Sequence, residues 1–350
     1  MPHPASAPAS ICILRLSAIG DITHMLPLLR TLQHQWPHCQ ITWVIGALEH
    51  QLIGDIADVE FIVVHKKRTL REYFRLRQLL RQRHFDVLLH MQASWRANIF
   101  SLAINAASRI GFDKTRARNS QWLFSNQKIS PQAQNHVLDS FLQFAETLGI
   151  VNPQLIWDLP IPTDASTAMR ARVQTPYLVI NACSSARLRN FRNWSTSGYA
   201  AVIDYAYTRY DLRTVLSGGN NAVEKNLADE IYAACTHKPI NLVGQTNLKQ
   251  LAALLQSARV VIAPDTGPLH IANAVGTDVI GLYASSNPAR TGPYGQLEYV
   301  VNAYPAALEK FNQQTIATAP WGQRVRDPDV MNMIKPEEVI KMLDKILQKK

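Results

Sequence analysis

The stretch VVIAPDTGPLHIANAVG at residues 260–276 decides how this chain is read. Val260, Val261 and Ile262 form an apolar β-branched run that predicts a buried strand. Pro264 breaks it, and Asp265, Thr266 and Gly267 turn tightly into a helix carrying Leu269, Ile271, Ala272 and Val275. Such a strand–loop–helix corner leaves backbone N–H groups at the positive end of a helix, a place for phosphate, and Gly267 lets the main chain approach closely. Thr266 adds a hydroxyl, and His270, four residues on, shares its helix face. The same residues equally fit an ordinary β–α connection with a core histidine.

The rest of the second half repeats this grammar. Strands are predicted at 177–181, 213–216, 240–243 and 279–283, with helices at 198–210, 222–234 and 248–256. A long polar loop at 182–194 and a Gly-Gly turn at 217–221 lie between them. The first half follows the same order: strands at 11–16, 41–45, 61–64, 86–90 and 110–112, and helices at 22–36, 49–56, 65–84, 97–107 and 137–148. Alternating strands and helices imply parallel sheets with right-handed crossovers. Residues 153–162 hold three prolines and read as a linker. The expected organisation is a disordered leader at 1–10, a first domain at 11–152, the linker, a second domain at 163–335 and a terminal amphipathic helix at 336–350. The fold class is therefore α/β, two Rossmann-like domains with a cleft between them as the natural ligand site. Residues 304–330 carry no readable pattern.

A chain of 350 residues has room for two cores, and 47% hydrophobic with 18% charged residues fits a globular protein. The formal net charge of +10 favours acidic partners. Four scattered cysteines, Cys12, Cys39, Cys183 and Cys235, give neither a zinc knuckle nor a disulfide framework and suit a reducing compartment. The leader lacks a basic signal region, and the apolar run at 11–14 is too short to span a membrane, so a membrane would be met from its surface. Positive charge concentrates at 65–84, HKKRTLREYFRLRQLLRQRH, with eight Lys/Arg against Glu72 alone. Lys66, Lys67 and Arg68 directly follow a strand, where α/β proteins bind ligands. A solvated basic face is the alternative. Nucleic acid is disfavoured as a partner because stacking aromatics are few beyond Tyr73 and Phe74.

Each half has one corner bearing an aspartate, Asp21 in SAIGDITHMLP and Asp265 in PDTGPLH. Glycosyl transfer needs a carboxylate base for the attacking hydroxyl and positive charge for a departing diphosphate. Asp21 suits the base, though an aspartate there equally caps its helix. Arg187, Arg189 and Arg192 follow Ser184 and Ser185 in the long loop, and an arginine fork suits diphosphate. Glu224, opening a helix after Gly-Gly, can accept ribose hydroxyls or answer the helix dipole. P-loop, GxGxxG, GxSxG and HExxH patterns are absent. So is a DxD-type acidic pair, which leaves arginine and backbone to neutralise a diphosphate without metal.

The pairing of RLSAIGDITHMLPLLRTL with PDTGPLHIANAVG, in this order and separation, resembles the bacterial lipopolysaccharide heptosyltransferases, family 9 of the glycosyltransferases, over residues 11–294. The resemblance implies a GT-B fold and metal-independent, inverting transfer of heptose from ADP-heptose onto the Kdo region of lipid A, most like the first-heptose enzyme; the alternatives are transfer to a later core heptose, or a non-catalytic nucleotide-sugar or lipopolysaccharide binder on the same scaffold. No cofactor is implied, since ADP-heptose is a substrate, and the enzyme would work in the cytoplasm, peripheral to the inner membrane. Asp21 then matches the catalytic base. Asp265, Thr266, Gly267 and His270 match the donor corner, with Ser184, Ser185 and Arg192 beside it, Glu224 at the ribose and Thr246 at the adenine. Lys66, Lys67 and Arg68 resemble the acceptor's basic cluster, with Gln92 and either Arg116 or Arg118 assisting. The family's Asp-x-Gln-Gly loop is replaced here by His90-Met91-Gln92-Ala93, and the loop from Ser184 to Arg192 is longer than usual.

Overall fold

The computed structural model describes residues 7–66, 68–173, 176–184 and 190–349. The chain divides into two compact units, Met1–Pro160 and Ile161–Lys350. In the first, β1 (Ser10–Leu14), α1 (Ile19–Gln35), β2 (Gln40–Gly46), α2 (Ala47–Ile53), β3 (Val59–Val64), α3 (Thr69–Leu80), β4 (Phe85–His90), α4 (Trp95–Ser101), β5 (Ala106–Gly111), β6 (Gln127–Lys128) and α5 (Val137–Thr147) follow in turn. All pairings are parallel and the sheet runs β3-β2-β1-β4-β5-β6.

The second unit opens with α6 (Thr163–Arg172), then β7 (Tyr177–Ile180), α7 (Thr196–Tyr210), β8 (Arg213–Leu216), α8 (Ala222–Ala234), β9 (Ile240–Asn241), α9 (Leu248–Gln256), β10 (Val260–Pro264), α10 (Gly267–Ala274), β11 (Val279–Tyr283), α11 (Pro288–Thr291), β12 (Val301–Asn302), α12 (Tyr304–Ala307) and α13 (Pro336–Leu347). Its parallel sheet runs β12-β11-β10-β7-β8-β9. Counted from each unit's own first strand, the two orders are the same. Strand order reverses between β1 and β4 in one unit and between β7 and β10 in the other, and α/β sheets bind ligands at that reversal.

The central strands are buried on both faces, as parallel sheets require, so they read as continuous apolar runs (ICIL, YLVI, VVIA). Tertiary contacts moved several boundaries. The helix expected over 97–107 stops at Ser101, because the Arg109 guanidinium donates to Ser101 O at 2.8 Å and Ile104 O at 2.7 Å, satisfying carbonyls that a longer helix would have used. The end of the leader is ordered: the N–H groups of Ala9 and Ser10 donate to Asp86 Oδ2 at 2.7 and 3.0 Å, and β1 starts at Ser10. α13 belongs to the second unit's core, with Val339, Leu343 and Ile346 buried and Asp344 accepting from the hydroxyls of Tyr205 and Tyr210.

At the end of β4, His90 is fully buried. Its Nε2 faces Asn98 Oδ1 at 3.0 Å and its Nδ1 faces the Gln121 amide nitrogen at 3.2 Å, a pair of contacts that suits the neutral ring with its proton on Nε2. Burial pushes its pKa down to about 3, with the Arg109 charge adding to this against the Asn98 hydrogen bond. The unfolded chain protonates this histidine near its ordinary value of about 6.5. Stability is therefore complete above that pH and falls as pH drops towards 3, by up to about 1.4 kcal/mol per pH unit. The urea midpoint should fall between pH 7 and pH 5, and His90→Gln should flatten the decline. An equal decline in both proteins would exclude His90 as its source.

Candidate active site

In the first unit the loop from β1 to α1 carries Asp21 in the first turn of α1. Its Oδ2 accepts the Ala18 N–H at 3.1 Å and pairs with Arg15 Nη2 at 2.6 Å. Capping therefore occurs, through the third helical residue. Both contacts fall on Oδ2, Oδ1 has none among the described residues, and the carboxylate is 32% exposed. Arg15 is buried beneath it, its Nη1 donating to Met91 O and its guanidinium lying 4.9 Å from the Phe141 ring centre. Gln92, expected at the acceptor, braces this loop instead. Its Oε1 accepts Leu16 N–H at 2.6 Å and its Nε2 donates to Ser17 Oγ at 3.2 Å.

The expected acceptor cations divide into committed and open ones. Lys66 Nζ sits 2.7 Å from both oxygens of buried Glu49, and a Cβ on Gly46 would collide with that carboxylate, so the lysine neutralises a charge that the fold has already buried. Arg116 is likewise committed. It pairs with Asp113 and donates to Gln143 Oε1 at 2.6 Å, Ser130 O at 2.7 Å and Ser140 Oγ at 3.1 Å, which ties the segment after β5 to α5. Arg68, just before α3, and Arg118 are exposed. Lys67 lies outside the described residues.

In the second unit Asp265 directly follows β10 and is buried. Arg192 Nη1 donates to its main-chain oxygen at 2.6 Å and approaches Oδ2 at 3.3 Å, and His270 Nε2 stands 3.7 Å from Oδ1. Burial alone would raise the Asp265 pKa, but the His270 hydrogen bond and the charges of Arg192, His270 and Arg324 outweigh it and hold the carboxyl well below the usual range. The first turn of α10 supplies fewer donors than the sequence suggested. Pro268 has no N–H, and Thr266 Oγ1 caps the Leu269 N–H at 3.4 Å. The N–H groups of Thr266 and Gly267 are left, and side chains add to the positive potential at this corner.

Arg192 is set by asparagines that sequence reasoning passed over. Asn190 Oδ1 accepts from Arg192 N–H at 3.1 Å and from Ser184 Oγ at 2.6 Å, while Asn193 Oδ1 accepts from Ser184 N–H at 3.0 Å. The Ser184 hydroxyl thus stitches the two ends of its loop together. Ser185, Arg187 and Arg189 lie outside the described residues. Glu224 closes the Gly-Gly turn, accepting from Gly219 N–H and, at 2.6 Å, from Asn221 Nδ2; a Cβ on either Gly218 or Gly219 would meet its oxygens. It lines a small recess with Cys183, Ser217 and Val243. Thr246 is half-buried in the loop after edge strand β9 and does not line that recess.

A further cation comes from the unread segment. Val325 N–H donates to Ser285 O at 2.9 Å and Ser285 Oγ donates to Val325 O at 2.8 Å, which pins the RVR segment to the loop after β11. Arg324 keeps an exposed side, yet surrounding protein and the charges of Arg192, Arg290 and Arg326 push its pKa down, against the pull of Asp265. Two arginines flanking a valine were the sequence signal, with no periodicity to place them.

The sequence pattern of glycosyltransferase family 9 (heptosyltransferase) matches residues 73–319. The lipopolysaccharide core heptosyltransferase OpsX of Haemophilus influenzae is 36% identical over 348 residues, 99% of each chain. Among solved structures, the family 9 glycosyl transferase of Veillonella parvula superposes with a TM-score of 0.78 at 21% identity over 98% of both chains. The E. coli heptosyltransferase WaaC with ADP gives 0.72 at 20% identity, over 96% of this chain and 99% of that one. The fold is that of the GT-B heptosyltransferases. With a family pattern over most of its length and a full-length relative above a third identical, this chain belongs to glycosyltransferase family 9, the heptosyltransferases, and is a glycosyltransferase.

Proposed function

We propose that this enzyme transfers heptose from ADP-L-glycero-D-manno-heptose to the Kdo region of lipid A in the lipopolysaccharide inner core, inverting the anomeric centre without a metal ion. The observation that carries the reading is the Arg192–Asp265–His270 cluster at the strand-order reversal of the second unit, with Arg324 beside it. Its main-chain and arginine donors suit a diphosphate, and ADP is what the related E. coli structure holds. Glu224, the carboxylate at the Gly-Gly turn after β8, is assigned to the ribose hydroxyls. The relative OpsX, named for the lipopolysaccharide core, supports the acceptor class.

In this reading Asp21 Oδ1 takes the proton of an acceptor hydroxyl as its oxygen attacks the anomeric carbon. The bond from that carbon to the diphosphate breaks, and ADP departs with the electron pair towards Arg192 and Arg324. Arg15 fixes the direction of the Asp21 carboxylate. Arg68 and Arg118 are the open cations for an acidic sugar, and the acceptor's lipid places the enzyme at the cytoplasmic face of the inner membrane. Among the described residues no helix is long and apolar enough to cross a membrane.

Asp21→Ala should lower kcat by roughly 10²–10⁴-fold with ADP affinity nearly unchanged. Near-normal turnover would remove it as the base. Arg192→Ala should weaken ADP binding by about tenfold or more, the share of a charge-assisted contact of about 1.5–3 kcal/mol; calorimetry with equal Kd values would refute this. Lys66→Ala should lower the melting temperature by stranding Glu49, whereas Arg68→Ala should raise the acceptor KM at an unchanged melting temperature. The reverse pattern would restore Lys66 to the acceptor site. Incubation with ADP-heptose and Kdo-lipid A in excess chelator should release ADP and add one heptose mass. Loss of transfer in chelator alone would end the metal-free reading, and transfer confined to an already heptosylated acceptor would reassign the enzyme to a later core position.

A further inference from the structure

The surface of the first unit over α3, the end of α4 and the 3₁₀ turn Gln121–Phe124 exposes more bulky apolar area than solubility calls for. Leu70 is 69% exposed, Phe74 63%, Leu102 60%, Trp122 53% and Leu123 63%. On α3 and its C-cap residue, Leu70, Phe74, Arg77 and Arg81 recur at i, i+4, i+7 and i+11, which places them on one stripe, opposite Glu72, Leu76 and Leu80 in the core. Arg77 and Arg81 share a hollow of about 640 Å³ with Leu102 and Leu123, so the stripe and the apolar residues of α4 and the 3₁₀ turn form one continuous face. Arg96 Nε donates to Thr69 Oγ1 at 3.2 Å and joins the other ends of α3 and α4.

Among the described residues, the elements that form this face expose no acid. Within 69–80 the one carboxylate, Glu72, is buried and paired with Arg75 at 2.9 Å. Residues 95–112 and 114–138 contain no Asp or Glu, and Asp113 between them is buried against Arg116. Large aliphatic and aromatic side chains set among arginines, with no acid to repel an anionic surface, match the chemistry of a helix lying in a lipid interface. The apolar tips enter the boundary of the acyl chains and the guanidinium groups meet phosphates. Nucleic acid would reward the arginines and leave Leu70, Leu102 and Leu123 in water. A second copy of the chain would bring its own arginines against these.

We propose that this face, centred on Leu70, Phe74, Arg77 and Arg81, docks the enzyme on an anionic phospholipid bilayer. The choice of partner rests on the lipid-linked acceptor proposed above, while the test reads binding without catalysis, so either reading can fail alone. The full chain should co-sediment with vesicles of phosphatidylglycerol and phosphatidylethanolamine and much less with phosphatidylcholine vesicles, and salt should weaken the difference. Arg77→Ser/Arg81→Ser should lower the partition coefficient by roughly 25-fold, at about fivefold per arginine. Leu70→Ser/Phe74→Ser should lower it by about tenfold or more. All four positions are exposed, so unchanged melting temperatures should accompany both losses. Equal binding to both vesicle types overturns the proposal, as does wild-type partition by either variant. A dimer in sedimentation velocity that Leu70→Ser/Phe74→Ser dissociates would assign the face to a second copy instead.

Discussion

In each unit an arginine between the first strand and the helix that follows it reaches across and donates to the carbonyl just past the fourth strand. Arg15 does so to Met91 and Arg192 to Asp265. The carboxyl ends of two adjacent parallel strands, whose crossovers leave in opposite directions, open a gap filled with unpaired carbonyls. A guanidinium closes that gap with a charge and several donors at once. It then has donors left for one aspartate, and that aspartate is the residue on which each site turns.

The two pairs do different work because their surroundings differ. Arg15 is buried and Asp21 partly exposed, so the pair presents a directed carboxylate edge towards whatever enters. At the other corner Asp265 is the buried member and Arg192 the more open one, with His270 and Arg324 adding positive charge. In the proposed reading the first corner offers an acceptor of protons and the second a cradle for anions, although both are built from one arginine and one aspartate. The remaining positive charge is divided in the same way. Lys66 and Arg116 are spent on carboxylates buried by the fold, while the arginines of α3 stay on the surface beside apolar side chains.

The strand–helix alternation was legible because period-two and period-3.6 patterns are local. The helices at 222–234 and 248–256 and the strands at 213–216 and 279–283 were placed to the residue. Short edge strands such as β6 and β12, two residues each, carry too little pattern to be read. Helix α4 was read too long because what ends it is Arg109, from the next strand. The segment holding Arg324 has no periodicity, since it is held by two hydrogen bonds to Ser285 in place of a repeating apolar face.

The sequence by itself determined the α/β class, the two aspartate-bearing corners and the family, because each is written in contiguous residues whose spacing reflects local backbone geometry. Only the tertiary structure decided which polar and charged side chains are already committed to the fold. Gln92 and Arg116 became braces, Lys66 a counter-ion, and Arg15 and Arg324 members of the sites. The physical reason is that a polar group is satisfied by whichever partner the fold brings within a few ångströms, and for the Arg15 donor on the Met91 carbonyl, or Arg192 on Asp265, that partner lies more than seventy residues away along the chain.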